Sequence, residues 1–493
     1  MKKHILSIDQ GTTGSRAFIF DAQGRVVSCA YQEFKQYYPK PGWVEHDAQE
    51  IWNSVDAVIR KALTESRIDP KTIAAIGITN QRETTVIWDR KTAKPFYHAI
   101  VWQCRRTAEL CAQLKKHERM FRQTTGLVVD AYFSGTKIQW LLDNVKGLRQ
   151  KAVNSEAAFG TIDSWLIYKL TDGATHATDM TNASRTLIFD IKSKKWSSPL
   201  LKLLNIPKNI LPTVLPSSSV FGYTAQGAAG LPGGIPIAAV MGDQQAALYG
   251  QGCFIPGSIK NTYGTGCFML LNTGSKCVYS KNGLLTTLGC DARGKTVYVL
   301  EGAVFIAGAV IQWLRDELRL IKDSFSSEEM IASIKDTNGV YLVPAFVGLG
   351  APYWDADARG SITGLTRGTS ARHIVRAALE SMAYQTKDVF DLMSKESGLK
   401  IKSLAVDGGA CRNDFLMKFQ ADILNIPIVR PLMVDSTVAG AAYLAGVSIG
   451  LWDPKDVCKI KKIERVFKPR MSRVESEIKY SGWCHAVRQT LAR

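Results

Sequence analysis

At 493 residues, with 46% hydrophobic and 22% charged residues, the chain has room for about two to four domains and is too apolar to be intrinsically disordered. Sixty-two basic against 44 acidic residues leave a formal charge of +18, which favours anionic ligands such as nucleotides. The ten cysteines form no C-x-x-C pair and no Cys/His group at zinc-ligand spacing, and no apolar run approaches the ~20 residues of a membrane span.

The chain opens as strand, turn, strand, turn, strand: "HILSID", "QGTTGS", "RAFIFD", "AQG", "RVVSCAY". Asp9 and Gln10 break the first apolar run too early for a secretory signal, so reduced thiols in a cytoplasmic protein are expected. "DAQEIWNSVDAVIRKALTES" carries apolar residues at helical spacing behind Asp47, an N-cap residue type. "IAAIGIT" is a short apolar run of the kind found in buried strands. The Pro/Gly/Ser-rich stretch Pro212–Pro236 reads as a linker or a surface loop, and a boundary near Gly250 to Gly257 is preferred. There "GSIKNTYGTGCFMLLNTG" repeats the opening strand, small-residue turn and strand. Two halves of this kind predict a duplicated α/β architecture with a central cleft, divided as residues 1–250 and 251–493.

Gly289–Thr296, "GCDARGKT", satisfies the P-loop pattern G-x-x-x-x-G-K-[ST]. A P-loop needs a helix after it to aim its dipole at phosphate, but "TVYVLEGA" is rich in β-branched residues. A hairpin around the polar "DARGK" is expected instead. Three other turns suit a nucleotide better when taken together. In "IDQGTTGSR", Thr12, Thr13 and Gly14 offer backbone N–H groups and hydroxyls to phosphate oxygens, with Asp9 at the strand end and Arg16 beyond. "YGTGC" repeats the device at Gly264 and Thr265, and "DGGACRN" allows close backbone approach at Gly408 and Gly409. Three such turns, widely separated in the chain, resemble the phosphate and adenosine grip of an actin-like ATPase.

The segments "ITNQRETTVIWD", "AIVWQCRRT", "DAYFSGTKIQWLLDN", "GDQQAALYGQ", "GLGAPYWD" and "GSITGLTRGTSARHIVRAALE" resemble the FGGY family of carbohydrate kinases, from about Ile5 to Trp483, and the NQRE, WQCRR and GDQQAAL parts resemble its glycerol-phosphorylating members. The resemblance implies a two-domain, ribonuclease-H-like α/β fold of the actin/hexokinase type with an interdomain cleft. It further implies ATP-dependent phosphorylation of glycerol to sn-glycerol 3-phosphate in glycerol breakdown, in a cytoplasmic homodimer or homotetramer. Carried over residue by residue, glycerol is held by Arg82, Glu83, Tyr132, Asp243 and Gln244, with Trp102 and Phe268 as apolar walls. Asp243 is the general base. Asp9 holds Mg²⁺; Thr12, Thr13, Gly14 and Arg16 face the phosphates; and Gly264, Thr265, Gly308, Gln312, Gly409 and Asn413 face the rest of ATP.

Local sequence by itself reads Asp243 as a helix N-cap, Arg82–Glu83 as a surface pair and Trp102 as core. In some relatives a loop arginine ahead of "GDQQ" binds fructose 1,6-bisphosphate, and in others that loop carries a phosphorylated histidine. The matching position here is Gly234, and no histidine lies between His176 and His373, so insensitivity to both controls is expected. The rival readings are another FGGY sugar or polyol kinase, an actin-like ATPase switch, and a nucleic-acid binder suggested only by the charge.

Overall fold

The run Ile73–Asn80 becomes a strand whose residues are all buried, as its unbroken apolar character requires of a strand covered on both faces. The computed structural model describes residues 2–355 and 357–492, which divide into two compact units. The first comprises Met1–Phe254, Thr286–Val299 and Ser436–Ile460; the second comprises Ile255–Leu285, Leu300–Asp435 and Lys461–Arg493.

In the first unit the sheet runs, in order, Ile237–Gly242, Ile73–Asn80, His4–Gln10, Gly14–Phe20 and Val26–Glu33. The first three strands are parallel, and the last two fold back antiparallel as successive hairpins. Helix Ala48–Ser66 begins as expected, with the Asp47 carboxylate accepting the Gln49 amide at 2.7 Å, and buries Ile51, Val55, Val58, Ile59 and Ala62.

The second unit repeats the plan. Strand Cys267–Gly274 pairs antiparallel with Ile259–Tyr263, which pairs in parallel with Leu404–Asp407, and that strand in turn pairs in parallel with Ile428–Pro431. Each unit has its own core, one around Leu6, Ile78, Trp88 and Trp165, the other around Tyr263, Leu300, Tyr384 and Trp483.

The contiguous division at 250/251 expected from the sequence differs from these units at residues 251–254, which stay with the first, and in two later segments. Residues 286–299 and 436–460 return to the first. Small residues explain the second return: helix Ser436–Ser448 lies so close to helix Asp243–Gly250 that a Cβ at Gly440 would stand 1.9 Å from the Ala246 oxygen. Pro212–Pro236 is not a linker between units. It belongs to the first, where Phe221, Leu231 and Ile235 are buried.

"GCDARGKT" forms the expected hairpin between strands Leu285–Cys290 and Thr296–Val304. The Asp291 carboxylate accepts the amides of Arg293 and Lys295, at 2.9 and 3.0 Å. No helix follows the lysine, so the dipole that a P-loop depends on is missing. No helix among the described residues is long and apolar enough to cross a membrane.

Candidate active site

In the first unit, three adjacent parallel strands end together, and open α/β sheets bind ligands beyond such ends. Asp9 is the penultimate residue of one, Arg82 and Glu83 follow the next, and Asp243 follows the third; the register sets Asn80 opposite both Gln10 and Gly242. Arg82 and Glu83 are therefore not a surface pair. Their side chains are 2% exposed, and Arg82 Nε lies 3.2 Å from Asp243 Oδ1. Arg82 also donates to Gln245 Oε1 at 3.3 Å. Gly242 lets the arginine pass, since a Cβ there would stand 2.7 Å from Arg82 Cδ.

Asp243 is the first helical residue, not the N-cap expected from local sequence; that position is taken by Gly242, whose amide donates to Thr181 Oγ1 at 2.8 Å. The Asp243 carboxylate, 31% exposed, accepts its neighbour's amide, Gln244 N, at 2.7 Å. It is thus oriented by Arg82 while one face stays open to a ligand. Gln244 is buried beside it.

Glu83 has φ = +62°, a left-handed conformation that costs a non-glycine residue about 1 kcal/mol or more. Three groups hold it there. Its carboxylate accepts Arg185 Nε at 2.5 Å, and its carbonyl accepts Ser134 Oγ at 3.0 Å and Lys137 Nζ at 3.3 Å. Arg185 is itself fully buried, with its guanidinium 5.3 Å from the Tyr132 ring and 5.1 Å from that of Phe133. Trp102 is half-buried rather than core: it meets Tyr132 edge-on at 5.6 Å, and its Nε1 donates to Thr12 Oγ1 at 2.9 Å. Arg185 and Lys137 escaped the sequence reading. Each is an isolated basic residue far from Glu83 in the chain, and only the lysine's apolar surroundings in "SGTKIQW" hinted at burial.

The turn after Asp9 is closed by Gly11 N donating to Gly14 O at 2.9 Å, with Thr13 exposed at its tip. Arg16 faces Asp9 across the hairpin and stacks over Tyr31 at 5.6 Å. Behind the turn runs a buried polar chain: Gln36 Nε2 donates to Thr12 O at 3.0 Å, Gln36 Oε1 meets His46 Nε2 at 2.6 Å, and Gln81 bridges Gln10 and Gly11. Burial pushes the His46 pKa down to about 3 from 6.5. The unfolded chain then binds a proton below 6.5 that the folded protein refuses until about 3. His46 therefore contributes stability that is complete above pH 6.5 and lost as pH falls toward 3. Asp163, raised to about 7 by burial, has the opposite sign, so a difference between variants is needed. His46→Gln is expected to remove much of the stability lost between pH 7 and 4, measured by urea unfolding at each pH; an unchanged slope refutes the assignment.

The second unit contains a cavity of about 510 Å³ lined by Gly264, Thr265, Gly308, Gln312, Gly409 and Asn413, together with Phe325, Leu379 and Arg412. All six nucleotide positions implied by the resemblance within this unit therefore border one space. Helix Gly308–Asp316 starts directly on the hairpin turn: Gly308 N donates to Gly264 O at 3.0 Å, and Ala307 N to Thr265 O at 2.8 Å. A Cβ at Gly308 would stand 2.5 Å from Gly264 O, whereas one at Gly409 would meet nothing within 4 Å. Asn413 caps helix Asp414–Leu424 by accepting Leu416 N at 2.8 Å. Phe268 is half-buried on the strand after the Gly264–Thr265 turn, in this unit.

Lys295, exposed on its hairpin in the other unit, lines none of this space. Lys295→Ala is expected to leave the KM for MgATP within about twofold, as for a surface substitution, while Gly308→Val raises it at least about tenfold by displacing the Gly264 backbone. Steady-state kinetics distinguishes the two. A large loss with Lys295→Ala would restore the P-loop reading.

The models of the FGGY family of carbohydrate kinases match residues 4–250 (N-terminal domain) and 259–449 (C-terminal domain). The chain is 56% identical to the protein named glycerol kinase 2 of Thermotoga maritima, over 99% of both chains. It is also 56% identical to the glycerol kinase of Alkaliphilus metalliredigens, over the whole of this chain and 99% of that one. Among solved structures, Plasmodium falciparum glycerol kinase with ADP superposes with a TM-score of 0.94 at 38% identity, covering 99% of this chain and 98% of that one. The xylulose kinase of Lactobacillus acidophilus, 23% identical with a TM-score of 0.88 over 99% of both chains, shares the fold.

Proposed function

This chain belongs to the FGGY family of carbohydrate kinases, and from that premise we propose that it transfers the γ-phosphoryl group of ATP to a terminal hydroxyl of glycerol, giving sn-glycerol 3-phosphate for glycerol breakdown. Full-length identity to named glycerol kinases supports the glycerol kinase activity. The observation that carries the chemistry is the carboxylate of Asp243, open on one face and oriented by Arg82 Nε at 3.2 Å.

In this reading glycerol's hydroxyls bond to Arg82, Glu83, Asp243, Gln244 and Tyr132, with Trp102 and Phe268 against its carbons. Asp243 accepts the proton of the attacking hydroxyl, which displaces ADP in line. A buried set of donors and acceptors built for a triol rejects analogues that leave its members unpaired. The turn at Thr12, Thr13 and Gly14, with Arg16, supplies donors to the phosphates. The cavity lined by Gly264, Thr265, Gly308, Gln312, Gly409 and Asn413 takes the remainder of the nucleotide. Positioning and charge supply most of phosphoryl-transfer catalysis, and no covalent intermediate is needed.

Mg²⁺ suits the donor set. No group of three or more His, Cys, Asp or Glu that could hold a metal ion occurs among the described residues, and Mg²⁺ bound chiefly by phosphate and water asks for only one or two carboxylates. Asp9, half-buried at its strand end, supplies one. When bound, the ion offsets phosphate charge.

The test is ADP release from MgATP in the presence of glycerol, dihydroxyacetone, erythritol, xylulose and gluconate. Glycerol is expected to stimulate most strongly; exclusive stimulation by xylulose, or release independent of any polyol, would overturn the reading. Fructose 1,6-bisphosphate is expected to have no effect. The basis is that Gly234, at the matching position, has no side chain to offer an anionic ligand.

A further inference from the structure

We propose that Lys137, on helix Ser134–Asn144, is a positioning residue for the acceptor pocket: one buried amine ties the backbone of Glu83 to that of Tyr132 and so sets both side chains against the substrate. The inference rests on the reading that these two residues hold glycerol.

Lys137 Nζ donates to Tyr132 O at 2.7 Å and to Glu83 O at 3.3 Å. Those carbonyls lie 49 residues apart in the chain (132 − 83) and belong to different elements, the turn after a strand and the loop before a helix. Lys137 is 0% exposed. Lysine is almost never fully buried unless paired, and a methionine of similar size would fill the space without bringing a charge out of water. The residue therefore costs stability, and what it provides in return is two directed hydrogen bonds. One of them bears on Glu83, whose φ of +62° persists only if the surroundings hold it. Ser134 and Arg185 hold the same residue from other sides, and Arg185 also lies over the Tyr132 ring. Lys137 ties the two residues through their backbones.

The groups around the amine are the Glu83 carboxylate, itself held by Arg185; Asp130, held by Arg105 at 2.6 Å and by the Tyr132 amide at 2.8 Å; and the thiols of Cys104 and Cys111. Burial pushes the Lys137 pKa down to about 7, against the attraction of Glu83, Cys104, Asp130 and Cys111. The charged amine attracts Glu83 and has a third N–H. The neutral amine keeps only two. Two N–H groups are enough for the two carbonyls, so the tie itself does not require the proton.

The experiment compares wild type, Lys137→Met and Lys137→Gln in glycerol and MgATP kinetics. Lys137→Met, which takes one hydrogen bond from each of the Glu83 and Tyr132 carbonyls, is expected to raise the KM for glycerol by about 10- to 100-fold and leave that for MgATP within about twofold. Lys137→Gln retains two N–H donors and is expected to recover part of the loss. If Lys137→Met does not fold, the two substrates' KM values in Lys137→Gln decide: the glycerol KM is expected to rise by more than about twofold and that for MgATP is not. A glycerol KM in the measured variant within about twofold of wild type, or equal shifts in both substrates' KM, would overturn the proposal. Wild-type protein responding only to another polyol would sink the glycerol reading instead, and the variants measured on that polyol would still test Lys137.

Discussion

Asp243→Asn is expected to lower kcat by about two to four orders of magnitude, the range a general base contributes, while the KM for glycerol changes by less than about fivefold. Asparagine has the same shape, and its Oδ1 still accepts from Gln244 N and faces Arg82 Nε, so the local geometry at 2.7 and 3.2 Å survives. What disappears is the ability to take up a proton. The carboxylate is suited to that task because it is open where its neighbour is not: Asp243 is 31% exposed, against 2% for Glu83. Single-turnover kinetics with MgATP and glycerol gives the chemical step, and thermal unfolding verifies the fold. A kcat near wild type would mean that proton transfer is not assisted by this residue, with positioning alone sustaining the reaction.

Removing Arg185 is expected to act through binding rather than through the proton. Arg185→Met leaves the Glu83 carboxylate buried without the guanidinium at 2.5 Å, and breaking a buried pair this way costs about 3–5 kcal/mol. Part of that appears as lost stability and part as glycerol affinity reduced by about two orders of magnitude, since a protonated or displaced Glu83 no longer offers its acceptor geometry. Arg185→Lys is not expected to rescue, because an ammonium cannot reproduce both the Nε–H bond and the stacking over Tyr132 and Phe133. The double variant Arg185→Met/Glu83→Gln should recover stability, having no buried charge to strand, but not activity. That combination separates the electrostatic penalty from the functional one. Calorimetry of glycerol binding, beside urea unfolding of both single variants and the double, measures the cycle. Additive losses in the double variant would show that the two side chains do not act as a pair.

The contrast between Asp47 and Arg185 shows where sequence reading stops. An N-cap is a contact across two residues, so Asp47 announced its helix, and the Asp47 bond to Gln49 N is there at 2.7 Å. The turn "DARGK" between β-prone segments was equally local, which is why the residues after Gly289–Thr296 outweighed a full P-loop match. Asp243 misled for the same reason: its spacing suggested a cap, yet the chain turns one residue earlier, at Gly242. Arg185 meets Glu83 from 102 positions away, and nothing in "NASRTL" names a partner.

By itself the sequence determined the strand and helix types, the hairpin turns, the two repeated α/β halves and, through its motifs, the family; all of these rest on contacts within a few residues or on patterns read directly from the chain. The tertiary structure decided which residues are buried beneath the motifs and how the units divide. Residues 436–460 pack onto the first unit through small side chains that fit a neighbour without specifying it. Lys137 and Arg185 hold Glu83 because a strand end, a helix and a loop converge there. A buried charge is stabilised only by partners brought to it in three dimensions, and a linear chain does not record that convergence.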